Sequence, residues 1–151
     1  MRRVVVTGIG TINSTGHNVK DSFKAVVDGV CGIDTITLFD ASEFSVKIAG
    51  EVKDFDPTTV MDKKEVKKAD RFIQLGIKAA LEAMIDSGYV TQEDKKVDAS
   101  IADRFGMISG SGIGGLSTIE RNSIVCETKG SRKVSPFFIP SSLANMLSGF
   151  I

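Results

Sequence analysis

The sequence lacks the ingredients of several common functions. It has one histidine, His17, and two cysteines, Cys31 and Cys126, far apart and with no ligand spacing around any of them. A structural or catalytic metal needs several such donors at close intervals, so no metal motif is present. The cysteines read as small buried hydrophobes or idle thiols, and His17 as a surface loop residue. Charge of one sign is missing too. Lys plus Arg number 19 and Asp plus Glu number 19, for a net charge of +0. Bulk charge gives no pull toward nucleic acid or a membrane surface, and only local clusters can inform. No apolar run reaches the ~18 residues that would span a bilayer. The run Val4-Val5-Val6 is too short for the hydrophobic part of a signal peptide. The expectation is a cytoplasmic protein. Past Glu127 there is no Asp or Glu at all.

What is present is a chain of one-domain size, 151 residues, with 42% hydrophobic and 25% charged residues, the balance of a globular protein. Its centre of interest is the stretch 104–116. Phe105, Met107 and Ile108 suit a strand buried on both faces. Gly110, Gly112, Gly114 and Gly115 follow, and a helix is expected from there to Thr128. Glycine permits close approach of a ligand or another chain, so the loop describes a wall built from backbone. Ile113 is the one large side chain in it. Gly110, Gly112 and Gly115 also fit the dinucleotide fingerprint, but that fingerprint wants an acidic residue about 20 positions on. None is there, and only Arg132 could stand in for an NADP variant. An NAD(P)-binding module is therefore kept as an alternative.

Along the rest of the chain, Val4-Val5-Val6 reads as a buried central strand ending in the turn Thr7-Gly8-Ile9-Gly10. Asn18 caps a helix with Val19, Phe23, Val26 and Val27 on one face, stopped at Gly29. Phe44, Val46, Ile48 and Val52 keep a two-residue period and suggest a hairpin or extended segment. Between 61 and 71, a helix would place Lys64, Lys67, Lys68 and Arg71 on one face. That face is either solvated or a landing patch for an acidic partner. Residues 72–87 give the clearest helix, apolar but for the narrow stripe Gln74, Lys78, Glu82 and Asp86. Its Ala79, Ala80 and Ala83 allow close packing. Lys129 to Lys133 forms a basic turn. Pro136-Phe137-Phe138-Ile139-Pro140 is expected to be extended, and Ser141 or Ser142 to cap a last helix bearing Leu143, Met146 and Leu147. The chain stops at Ile151 in an apolar stretch, which suggests a longer domain.

Three of these motifs carry a resemblance. Arg2-Arg3-Val4-Val5-Val6-Thr7-Gly8-Ile9-Gly10 looks like the opening of the fatty-acid condensing enzymes. Ser109-Gly110-Ser111-Gly112-Ile113-Gly114-Gly115 and Ser135-Pro136-Phe137-Phe138-Ile139-Pro140 resemble two further signatures of that family, in the same order. The likeness is to the β-ketoacyl-[acyl-carrier-protein] synthase II type and runs the length of the chain. It implies an α/β, thiolase-like fold, of which residues 1–151 would be an incomplete N-terminal portion of an α-β-α-β-α layered sandwich with a mixed sheet. It implies decarboxylative Claisen condensation by a cysteine and two histidines, with no cofactor and with no catalytic residue of that set in this chain. The nucleophile's Thr-Ala-Cys motif would lie beyond Ile151. By the same resemblance, Gly112, Ile113, Phe138 and Ile139 line the acyl pocket, Phe138 reaching the partner subunit's pocket in a homodimer. Lys64, Lys67, Lys68, Arg132 and Lys133 would receive acidic acyl carrier protein. A noncatalytic condensing-enzyme-like partner subunit stays open as a second class.

Overall fold

The computed structural model describes residues 2–151. They fall into two compact units. One joins the chain up to Asp56 with Ala79–Lys95, and the other joins Pro57–Lys78 with Lys96–Ile151.

The first unit opens on residues 2–12, which form neither helix nor strand, and leads into helix α1, Val19–Val27. Asn18 caps it as expected, its side-chain oxygen accepting the Asp21 N–H at 2.8 Å, and Gly29 ends it at φ 69°. The apolar face read from the sequence is nonetheless exposed at Phe23, Val26 and Val27, while Ser22 and Ala25 are buried. Strands β1, Asp34–Thr35, and β2, Ile48–Ala49, pair antiparallel, with Asp34 opposite Ala49 and Thr35 opposite Ile48. The two-residue period around Ile48 thus marked real extended structure. The second half of helix α3, Arg71–Asp86, completes this unit. The segment 8–11 lies hard against it. A Cβ on Gly8 would stand 2.2 Å from the Ala83 carbonyl oxygen, and one on Gly10 would stand 2.0 Å from that of Ala79. The small alanines are the other half of that fit. The narrow polar stripe is not merely solvated: Asp86 accepts the Ile9 N–H at 3.0 Å, and Glu82 accepts the N–H groups of Thr11 and Val19 at 3.0 and 2.8 Å.

The second unit holds α2 (Lys63–Val66), the first half of α3, α4 (Ala99–Ala102), α5 (Leu116–Lys129), α6 (Phe138–Ser142) and α7 (Met146–Phe150). Its core is Ile73, Ala69 and Leu147, with Met61, Phe72, Ile77, Met146 and Phe150 packed around them. Gly76 exists for this packing, since a Cβ there would reach 2.6 Å from Leu147 Cδ1.

Several expectations are corrected. Residues 4–6 and 105–109 form no strand, and Val4 and Ile108 are each 96% exposed. A strand is stabilised only by a neighbouring strand, and among the described residues none pairs with either run. The sole sheet among them is the two-stranded β1–β2, not a mixed one. The lysine helix is broken. It stops after Val66, and Asp70 starts α3 afresh, with its carbonyl accepting the N–H groups of Ile73 and Gln74. The Pro136–Pro140 run is not extended but turns into α6. Pro140 is the third residue of that helix, where the missing N–H has no intrahelical partner to lose. The last helix starts after Asn145, whose side chain makes no capping hydrogen bond, rather than after Ser141 or Ser142, and Leu143 lies outside it. Both cysteines are exposed.

Candidate functional site

The glycine loop and α6 are built together. The Gly115 N–H donates to the Ser142 carbonyl at 2.9 Å. A Cβ on Gly114, which sits at φ 81°, would lie 2.5 Å from the same oxygen, and one on Gly115 would lie 2.6 Å from the Ser141 carbonyl. These two glycines are therefore demanded by a backbone-to-backbone approach. Gly110 and Gly112 are different, since a Cβ on either would meet nothing within 4 Å. The loop's outer face is bare backbone, and Ile113 stands on it 65% exposed. Of the other expected pocket residues, Phe138 is half-buried at the start of α6, and Ile139 is exposed. The Ile139 carbonyl accepts the Ser142 hydroxyl at 3.2 Å. The structure thus joins the glycine signature to the 135–140 signature through Ser141 and Ser142 at the end of α6.

Asp70 fixes this arrangement. It is buried, and its Oδ2 accepts both the Thr118 N–H at 2.9 Å and the Thr118 hydroxyl at 2.6 Å. Its Oδ1 accepts the Phe72 N–H at 3.4 Å. One carboxylate therefore serves the first turns of α3 and α5, where the helix dipole favours negative charge. The Ser141 hydroxyl donates to the Lys68 carbonyl next door. Sequence reading passed over Asp70. An acidic residue just before a strongly periodic helix was the available signal, but its partner Thr118 could not be read from local pattern.

The same contacts remove the dinucleotide reading. A pyrophosphate would need the free N–H groups at the N-terminus of the helix after the glycines. Here the Thr118 N–H is taken by a carboxylate and the Gly115 N–H by a carbonyl. The Asp70 charge would repel the phosphates.

The basic residues are distributed over three short pieces. Lys64 lies in α2 and is exposed, and Lys67 follows it, also exposed. Lys68 is half-buried, pairs with Glu65 at 2.6 Å and sits 5.6 Å from the centre of the Phe137 ring. Arg132 and Lys133 are exposed on the single turn Ser131–Lys133 that follows α5. That turn is tied back to α5 by Asn122, whose side chain donates to the Thr118 carbonyl at 2.8 Å and accepts the Ser135 N–H at 2.9 Å. Among the described residues no group of His, Cys, Asp and Glu could hold a metal ion. No described helix is long and apolar enough to cross a membrane.

Comparison with known proteins bears on this site. The family model of the β-ketoacyl synthase N-terminal domain matches residues 1–151. The 3-oxoacyl-[acyl-carrier-protein] synthase 2 of Vibrio harveyi is 49% identical over 148 residues, covering 98% of this chain and 34% of the relative. The protein of the same name from Coxiella burnetii (strain RSA 493 / Nine Mile phase I) is 44% identical over 150 residues, covering 99% of this chain and 35% of the relative. The chain thus spans about a third of the length of these curated relatives. Among solved structures, the ishigamide ketosynthase/chain length factor superposes with a TM-score of 0.78 at 28% identity, over 99% of this chain and 36% of that one. A type II polyketide synthase acyl-carrier protein in complex with its ketosynthase bound to the hexaketide gives a TM-score of 0.75 at 27% identity, over 99% of this chain and 39% of that one.

Proposed function

Because the chain belongs to the β-ketoacyl synthase family by its N-terminal domain, we propose that it is the substrate-handling first part of a 3-oxoacyl-[acyl-carrier-protein] synthase of the synthase 2 kind, an acyltransferase of fatty-acid synthesis. Its fold is the thiolase-like one of the ketosynthases it superposes on. One observation carries the functional reading: identity of 49% over 148 residues to a synthase 2.

In the proposed reaction an acyl group rests as a thioester on a cysteine. Malonyl-carrier protein loses CO2, and the electron pair left on carbon attacks the acyl carbonyl. The cysteine leaves as thiolate, so carbon dioxide and the lengthened 3-oxoacyl-carrier protein are the products. The developing enolate oxygen needs fixed hydrogen-bond donors, and the thiol needs activation. This chain has neither a Thr-Ala-Cys motif nor a second histidine, so both groups belong to a protein of the relatives' full length. Residues 1–151 would then be the N-terminal part of a larger condensing domain.

What this chain supplies is the acyl pocket and the docking face. Ile113, on the bare backbone of Gly112, forms a wall that can yield to the acyl chain. Phe138 and Ile139 add apolar surface at the start of α6. Lys64, Lys67, Lys68, Arg132 and Lys133 receive the acidic acyl carrier protein. The assembly is a homodimer, a reading favoured by the large exposed apolar side chains, and its place is the cytoplasm, where fatty-acid synthesis of this kind would run.

The test is a hybrid enzyme in which residues 1–151 replace the matching stretch of the Vibrio harveyi synthase. The hybrid should condense acyl- and malonyl-carrier protein, and the chain alone should not. A hybrid that folds, carries the acyl group on its cysteine and still forms no 3-oxoacyl product would overturn the reading.

A further inference from the structure

Two pieces of the second unit, the glycine loop with the start of α5 and the end of α6, are both tied to residues 68–70. On one side, Asp70 Oδ2 takes the N–H and the hydroxyl of Thr118, a short way past Ile113. On the other, the Lys68 carbonyl accepts the Ser141 hydroxyl, just past Ile139. Gly115 is buried between them. A Cβ on it would stand 2.6 Å from the Ser141 carbonyl oxygen and 3.1 Å from Asp70 Oδ2. Hydrogen bonds to a carboxylate are roughly twice as strong as neutral ones, and Asp70 is buried, where such bonds strengthen. The other end of the loop is held more lightly, by one hydroxyl–hydroxyl bond of 2.6 Å between Ser109 and Ser148. Between these ends, Gly110 and Gly112 face open space. The loop therefore takes its position chiefly from the Asp70–Thr118 clamp.

We propose that Asp70 is a positioning residue for acyl-chain length, which acts through Thr118 to hold the Ile113 wall in place. The inference rests on the acyl-pocket part of the proposed function. Asp70 touches no substrate in this role and works only through the backbone from Gly114 to Thr118. A pocket that discriminates length needs a wall of limited give, because each further methylene admitted gains burial. With the clamp intact, the wall resists displacement by a long chain. With the clamp loosened, the loop moves on Gly110 and Gly112. Long primers then enter more easily, while short ones are held less closely against the reacting groups. The effect is a change of selectivity and not a uniform loss.

The test uses the hybrid with the Vibrio harveyi synthase. At matched folded fraction, kcat/KM is measured for a short and a long acyl primer in the parent, Thr118→Val, Thr118→Ser and Asp70→Asn. Thr118→Val removes the hydroxyl while keeping the side-chain shape and the N–H bond to Asp70. Its long-to-short ratio should rise by about fourfold, the worth of one methylene admitted. Asp70→Asn weakens both bonds and should raise the ratio further. Thr118→Ser restores a hydroxyl and should return the ratio to that of the parent. If Asp70→Asn does not fold, Thr118→Val decides, because it leaves the carboxylate and its bonds to both helix starts in place. An equal loss at both lengths in Thr118→Val would give the clamp a role in folding alone and overturn the proposal. A ratio shifted as much in Thr118→Ser as in Thr118→Val would overturn it too. If the parent hybrid is active and no ratio moves, only the positioning role falls. If the folded and acylated parent hybrid forms no 3-oxoacyl product, the proposed function falls, and the role of Asp70 with it.

Discussion

Ile113 is exposed on a loop whose glycines at 110 and 112 face open space, so its side chain alone decides how much room lies over that backbone. In the hybrid enzyme, Ile113→Phe should fill the room. Short acyl primers should react nearly as before, while each methylene excluded from burial removes about 0.8 kcal/mol, or about fourfold in rate. A chain-length series at matched folded fraction checks this, and an equal loss at all lengths would assign Ile113 to ordinary packing. The glycines of this chain divide in the same way. Gly10→Ala sets a Cβ 2.0 Å from a helix carbonyl and 2.7 Å from the Ala83 nitrogen, and backbone cannot swing aside as a side chain can. It should cost about 3 kcal/mol or more. Gly110→Ala has nothing to meet and should change stability by less than about 0.5 kcal/mol. Urea denaturation of the two variants separates a glycine required by the fold from one left open for something else.

Glu51, just past β2, is buried and ties the segment after β1 to that strand. It accepts the Thr37 hydroxyl at 2.7 Å and the N–H groups of Thr37 and Leu38 at 3.0 to 3.1 Å. The Thr37 hydroxyl first, and then its N–H, hold the carboxyl below the ordinary carboxylate range. A carboxyl depressed in the folded state stabilises fully above its unfolded pKa of about 4.3, and the contribution fades as pH falls through the folded value. Glu51→Gln should therefore be less stable than the parent at neutral pH. The gap should close as pH falls below about 4, read as denaturation midpoints along a pH series, and a gap independent of pH would reject the ionised clamp. Such clamps mark where reading the sequence stopped. Helices α1, α3 and α5 were legible because caps, stop glycines and periodicity are local. The glycine loop was legible for the same reason. Asp70 and Thr118 lie 48 positions apart, and no local pattern joins them. The lysine run was misjudged because its charge spacing suited one helix, while the Asp70 cap divided it. The Pro136–Pro140 run was misjudged because two prolines suggest extension, whereas one of them falls in a helix's first turn.

At the scale of the molecule, the described residues bury little apolar side chain. Their buried hydrophobics are Ala25, Ala41, Ala69, Ile73, Val90 and Leu147, and only Ile73 among the large side chains is wholly enclosed. Large apolar side chains stand exposed at Val4, Val6, Ile108, Phe23 and Leu38 among others. Apolar patches beyond a few hundred Å² drive association, and residues 4–6 and 106–109, which lie in no described strand, are of the kind a strand from another chain can join. The chain by itself should therefore form dimers or larger assemblies at tens of micromolar. Light scattering over a dilution series gives the mass directly. The charged variants Val6→Lys and Ile108→Lys lose no core contact, since both positions are exposed, so they should lower the assembled fraction without lowering the urea midpoint. If they lower the midpoint instead, those side chains are buried in solution and the exposed surface is not the cause. A monodisperse monomer across the series would mean that solvation alone satisfies this surface, and association would be rejected.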